Sequence, residues 1–232
     1  MNEVFYWKQI PIFQNNEVLK IGTDAILLGS WISHLSLSPR TILDVGSGTG
    51  ILSLMMADIF PDAQIQAIDN HEKAVMLTNL NFVGSEWSGR LKAFQNDVLV
   101  MSESVTTYDL VICNPPYYFN QLIPEDSIRK HSRHTHQHAF KWMKALEHRC
   151  NENGGIGMII PYDLSSAWIH AGNEAGIYCQ VRKDVYSFET DQYPIRTLIL
   201  FGRKLKPLKL DDLYIYETTD RYTKAYRNFT GF

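Results

Sequence analysis

Seven short runs of β-forming residues, most of them separated by helical patterns, constrain this chain more than any other feature. They are Thr41–Val45, Gln64–Asp69, Leu91–Gln95, Tyr108–Cys113, Ile156–Ile160, Gln180–Ser187 and Thr197–Gly202. Leu110-Val111-Ile112-Cys113 and Met158-Ile159-Ile160 are apolar without alternation. A strand reads this way when both of its faces are buried, as in a parallel sheet covered by helices on each side. Helical patterns lie at Ile51–Phe60, His71–Val83, Ala139–Asn151 and Leu164–Ala175. Only Glu189–Arg196, with Pro194, joins the last two strands, which predicts an antiparallel hairpin there. The expected fold is therefore α/β, with a mostly parallel seven-stranded sheet, one antiparallel strand and helices on both faces.

Two segments flank this core. Residues 1–40 hold an aromatic, strand-like stretch and then an apolar helix, Ala25–His34, with Thr23 or Asp24 as a natural N-cap. Residues 205–232 read as a tail with a final helical pattern, leaving 41–204 as the core of a single domain. A length of 232 residues, 45% of them hydrophobic, suits one domain.

The net charge of −3 differs from that of a uniformly basic nucleic-acid binder, so any contact with a polyanion is a local patch. Cys113, Cys150 and Cys179 are odd in number and widely spaced, which fits neither a disulfide framework nor a metal site and suits a reducing cytosol. No apolar run is long enough for a membrane span, and the first residues lack the order of a signal peptide. A cytoplasmic protein is expected, its oligomeric state undetermined with a monomer favoured.

Asp44-Val45-Gly46-Ser47-Gly48-Thr49-Gly50 follows the first strand and opens a helix. Glycines there allow a sharp turn and close approach of a ligand to the backbone, and the helix offers unpaired N–H groups. A dinucleotide fingerprint would place glycine at 51, which is Ile51. The tighter spacing, led by an acid, suits the amino-acid end of S-adenosylmethionine, with Asp44 accepting from its ammonium. Asp69, at the end of the second strand, is placed to accept ribose hydroxyls. Asp97, at the end of the third, is placed to accept from the adenine amino group. As capping and turn residues these acids would carry no function, but three of them point to one sheet edge. Ser47, Asn70 and Val98 complete the candidate cofactor set beside Gly46, Gly48, Gly50 and Thr23.

Asn114-Pro115-Pro116-Tyr117 follows the fourth strand at that same edge. An sp2 exocyclic nitrogen attacks a methyl sulfonium poorly because its lone pair is delocalised. Two acceptors that hold both of its N–H groups favour a pyramidal nitrogen in the transition state. The Asn114 side chain and the Pro115 carbonyl make such a pair, Pro116 stiffens the turn, and Tyr117 offers a stacking face.

With these motifs the chain resembles Rossmann-like amino-methyltransferases, and more narrowly the bacterial tRNA(Val) adenine-37 N6-methyltransferases. The narrower resemblance rests on Lys20–Trp31 (KIGTDAILLGSW), NPPYY at 114–118, Ser132-Arg133-His134 and Tyr222-Thr223-Lys224-Ala225-Tyr226. It implies S-adenosylmethionine as cofactor, tRNA as partner, and Asn114 at both the cofactor and the target base, with Tyr117 and Tyr118 on the substrate side. Residues 129–138 hold three cations and four histidines. They read as a substrate-side loop in which Arg129, Lys130 and Arg133 meet phosphates. Without a settled ligand spacing the histidines predict no metal. A protein glutamine N5-methyltransferase is the alternative with the same lone-pair problem, although such enzymes usually carry a substantial N-terminal helical domain. A binding module that kept the cofactor but lost the chemistry is the other.

Overall fold

The computed structural model describes residues 3–100, 106–116 and 128–231. Its main sheet contains β3 (Thr41–Val45), β4 (Gln64–Asp69), β5 (Leu91–Gln95), β6 (Tyr108–Cys113), β7 (Cys150–Pro161), β8 (Tyr178–Phe188), β9 (Arg196–Gly202), β10 (Lys209–Thr218) and β11 (Arg221–Tyr222). They lie side by side in the order β11-β10-β8-β9-β7-β6-β3-β4-β5. The pairs β3–β4, β3–β6, β4–β5 and β6–β7 are parallel, and β9 runs antiparallel between β7 and β8. The seven strands expected from sequence are present with one reversed.

The apolar strands bury both faces through strict alternation. Ile42, Leu110 and Ile112 belong to one core cluster, while Leu43, Val45, Val111 and Cys113 belong to the other. The first cluster includes residues of α1 (Thr23–Ser33), α2 (Ile51–Ile59) and α3 (Glu72–Val83). The second includes residues of α4 (Ile128–Arg149) and α5 (Ser165–Glu174). A period of two in direction, with apolar residues at every position, produces this arrangement.

Three expectations need correction. The tail is more than loop and helix: β10 pairs parallel with β8, and β11 turns back on it, ahead of α6 (Lys224–Thr230). Leu213 and Ile215 are the buried residues of β10, and its charged first half is exposed, so its alternation is weak. Helix α4 starts at Ile128, so the basic stretch expected as a loop has helical backbone. Its later turns pack Ala139, Trp142, Met143 and Leu146 into the core, and the helix propagates from them back through the basic residues. The third correction is at α1, where Gly22 occupies the N-cap and Thr23 is the first helical residue. Asp24 instead accepts from Arg196 Nε at 2.9 Å to each oxygen, which ties α1 to the start of β9.

An antiparallel hairpin, β1 (Glu3–Trp7) and β2 (Ile10–Gln14), precedes α1. Its Trp7 and Ile12 are buried in the first core. Among the described residues, no helix is long and apolar enough to cross a membrane.

Candidate functional site

Strand β3 has β4 on one side and β6 on the other, so successive connections leave it in opposite directions. Such a switch point opens a crevice at the carboxyl ends of the strands. The register lines up what ends there. Val45 pairs with Cys113 on one side and with Ile68 on the other. Gly46, Asn114 and Asp69 each follow one residue later, on neighbouring strands about 4.8 Å apart. The glycine loop, the acid of β4 and the Asn-Pro-Pro segment therefore meet along one edge.

The loop is held from several directions. Gly46 and Ser47 donate their N–H groups to the Ile68 carbonyl at 2.8 and 3.1 Å. Thr78 of α3 donates its hydroxyl to the Gly48 carbonyl at 3.0 Å and lies 3.0 Å from the Ser47 hydroxyl. Having one hydroxyl hydrogen, Thr78 must accept from Ser47. Asn81, one turn further along α3, donates to the Thr49 carbonyl at 2.8 Å and to the Phe13 carbonyl at 2.9 Å. Its side-chain oxygen accepts from Phe13 N at 2.8 Å. One buried amide thus ties the N-terminal hairpin to the glycine loop. Neither Thr78 nor Asn81 was picked out from sequence. The available signal was two polar residues, three apart, on the otherwise apolar buried face of α3.

Gly46 and Gly48 have φ of +80° and +55°, a region that side chains avoid. A Cβ on Gly46 would meet nothing within 4 Å, and one on Gly48 only Val18 Cγ1 at 4.0 Å. The loop therefore presents open backbone to the crevice.

Asp44 is completely buried. Its Oδ2 accepts from Ser53 N at 3.1 Å and from Ser53 Oγ at 2.7 Å. Its Oδ1 is buried and has no hydrogen-bond partner among the described residues. Burial pushes its carboxyl up to about 7, against the two Ser53 hydrogen bonds that favour the anion. An orphaned acceptor of this kind calls for a donor, and a cationic donor would restore the charged form.

Asp69 already accepts from backbone N–H groups with both of its oxygens. Its Oδ2 accepts from Gly48 N at 3.0 Å, and its Oδ1 accepts from His71 N at 2.9 Å. A carboxylate accepts about four hydrogen bonds, so capacity remains for two hydroxyls. Asp97 lies two residues beyond β5, in a turn that its Oδ1 stabilises by accepting from Leu99 N at 2.9 Å. Beside it Val98 is buried. Asn70 is exposed, and its carbonyl accepts from Gln95 Nε2 at 3.2 Å.

Asn114 is half-buried, Pro115 buried and Pro116 exposed at the end of β6. Just before them, the Cys113 thiol is held well above its ordinary range by burial and then by the Asp44 charge. It is therefore no nucleophile. Tyr117 and Tyr118 lie outside the described residues. Arg129, Lys130 and Arg133 fall on the first turns of α4, the helix that follows the Asn-Pro-Pro segment. Thr23 is not brought into the glycine-loop set. It lines a separate cavity of about 280 Å³ with Phe5, Tyr222 and Tyr226, between the hairpin and the tail.

The donor set is thus an orphaned buried carboxylate oxygen, an open glycine cradle and a second carboxylate with spare acceptor capacity. It fits a ligand with an ammonium at one end and hydroxyls further along.

Comparisons with known proteins agree with this geometry. The family model for the methyltransferase small domain matches residues 12–135. A protein of Haemophilus influenzae strain PittEE, named tRNA1(Val) (adenine(37)-N6)-methyltransferase, is 32% identical over 230 residues, covering 97% of this chain and 96% of its own. A Flavobacterium psychrophilum protein of the same name is 32% identical over 227 residues, covering 96% and 95%. In fold, the chain is similar to a predicted O-methyltransferase of Agrobacterium tumefaciens, with a TM-score of 0.68 at 16% identity over 90% of this chain and 96% of that one. A Pyrococcus furiosus methyltransferase gives a TM-score of 0.61 at 15% identity, over 85% and 91%.

Proposed function

The chain belongs to the methyltransferase small-domain family, and from that premise we propose that it methylates N6 of adenine 37, next to the anticodon of tRNA(Val). Near-full-length likeness to relatives that carry this name supports the reading. The observation that carries the chemistry is the register that sets Asn114 beside Gly46.

S-adenosylmethionine supplies, when bound, an electrophilic methyl group on a sulfonium. In the proposed site Asp44 Oδ1 would take the ammonium, the open space beside Gly46 and Gly48 would admit the amino-acid end, and Asp69 would take the ribose hydroxyls. Asp97 and Val98 line the adenine end. Asn114 and the Pro115 carbonyl accept the two N–H groups of the target base and steer its nitrogen toward a tetrahedral geometry. No strong base is required, because the nitrogen becomes acidic only once it has been alkylated and then loses a proton to water. Tyr117 is proposed to stack on the extruded base, and Tyr118, Arg129, Lys130 and Arg133 to hold the flanking RNA.

The test uses purified protein, labelled S-adenosylmethionine and two tRNA(Val) transcripts, one with adenine and one with guanine at position 37. Label entering only the first supports the reading. Equal label in both removes the assignment to that base.

A further inference from the structure

Helix α4 packs against α5, and where they meet His136 of α4 faces His170 and Glu174 of α5. One donor atom from each lies within 4.8 Å of the other two. His170 and Glu174 stand four residues apart and so project from one face of α5. His136 Nε2 is 2.9 Å from Glu174 Oε2, and His170 Nε2 is 3.8 Å from Glu174 Oε1. The two imidazoles lie 5.0 Å apart, tilted by 40°.

The His136 Nε2 atom is buried, yet it has no hydrogen-bond partner among the described residues. Its 2.9 Å approach to Glu174 is therefore close without being aligned as a hydrogen bond. Ligands of one ion behave this way, since each directs its lone pair at a shared point rather than at its neighbour. Bonds of about 2.0–2.1 Å in a tetrahedral site put ligand atoms about 3.3 Å apart. The two histidine–carboxylate separations, 2.9 Å to Oε2 and 3.8 Å to Oε1, straddle that value, and the three donors lie within 4.8 Å of one another, so an ion would draw them together slightly.

We propose that His136, His170 and Glu174 form a binding site for a zinc-class divalent cation that clasps α4 to α5. Two imidazoles and one carboxylate suit zinc and its borderline neighbours, whereas magnesium and calcium select all-oxygen sets. His170 and Glu174 are partly exposed, which leaves the fourth position to water. The first turns of α4 carry Arg129, Lys130 and Arg133, so a clasp at His136 fixes the helix that is proposed to meet RNA. Methyl transfer itself uses no metal, and the role assigned here is structural. Residues 129–138 alone predict no metal, because they hold just one of the three ligands. The other two ligands lie on a different helix, and nothing in the spacing announces them.

The experiment takes untagged, full-length protein stripped with a chelator and titrates it with Zn²⁺, Co²⁺ and Mg²⁺. The readouts are bound metal per chain, the visible absorption of Co²⁺ and the thermal midpoint. The expected result is one Zn²⁺ or Co²⁺ per chain with a raised midpoint, and no response to Mg²⁺. H170A and E174Q, at exposed positions, should weaken binding at least tenfold with circular dichroism unchanged. H148A, which alters a histidine outside the cluster, should bind as the parent does. Substoichiometric uptake by the parent, or parental affinity in H170A and E174Q, would overturn the proposal. Because every readout is independent of methyl transfer, failure here leaves the proposed activity untouched, and the reverse also holds.

Discussion

Asp44 gives the account a quantitative consequence. With its carboxyl raised from 3.8 to about 7 by burial, holding the charged form in the folded protein costs on the order of 4 kcal/mol more than in the unfolded chain. The raised value means that the folded state holds this proton more tightly than the unfolded state does. Stability from the neutral form is full below the unfolded value and is lost as pH rises through about 7. A ligand ammonium at Oδ1 needs the charged form, so cofactor binding must expel the proton. For a group of pKa about 7, roughly 0.9 proton should be released per binding event at pH 6 and about half at pH 7. Affinity should rise roughly fifteenfold from pH 5.5 to pH 7 by the same linkage. Calorimetry in buffers of different ionisation enthalpy counts these protons directly. Asp44→Asn should abolish the release, weaken cofactor binding, and raise the thermal midpoint of the unliganded protein at pH 8, because the costly charge is gone. Affinity that is flat over pH 5.5–7, with no proton release, would refute the reasoning.

Three further perturbations probe other parts of the site. Asn114→Ala should lower the single-turnover rate on the order of 10²–10³-fold with cofactor affinity within a few-fold of the parent, and near-parental chemistry would reduce the segment to a turn. Asn81→Ala removes three hydrogen bonds between the hairpin and the glycine loop and should cost roughly 2–3 kcal/mol in urea unfolding; an unchanged midpoint would show that the hub carries no stability. Replacing Arg129, Lys130 and Arg133 together with Ala should raise the tRNA KM and flatten its salt dependence by up to about two log units per log salt, with unchanged cofactor affinity. An unaltered salt slope would place these cations away from RNA.

The central strands were legible because each buries two faces and so shows unbroken apolar character, and β3 to β6 begin and end at the expected residues. The glycine spacing and Asn-Pro-Pro segment were legible because their geometry depends on local residue types. Contacts between distant parts of the chain were not. Asp24 reads as a helix cap until Arg196, 172 residues away, is folded beside it. The strand end at Asp69 could be read, but not the use of both its oxygens to strap Gly48 and His71. Strand β10 hid its two inward residues behind a charged, exposed start. The basic first turns of α4 lack the apolar stripe by which helices are recognised.

The identity of the methylated group separates an RNA-modifying enzyme from a protein-modifying one. The most direct test compares a strain lacking this gene with its parent, by mass spectrometry of nucleosides from purified tRNA(Val) and of glutamine residues from total protein. N6-methyladenosine should disappear from position 37 of that tRNA, return with the wild-type gene, and stay absent with the Asn114→Ala variant. Intact N6-methyladenosine in the deletion strain, with methylglutamine lost instead, would contradict the proposed activity.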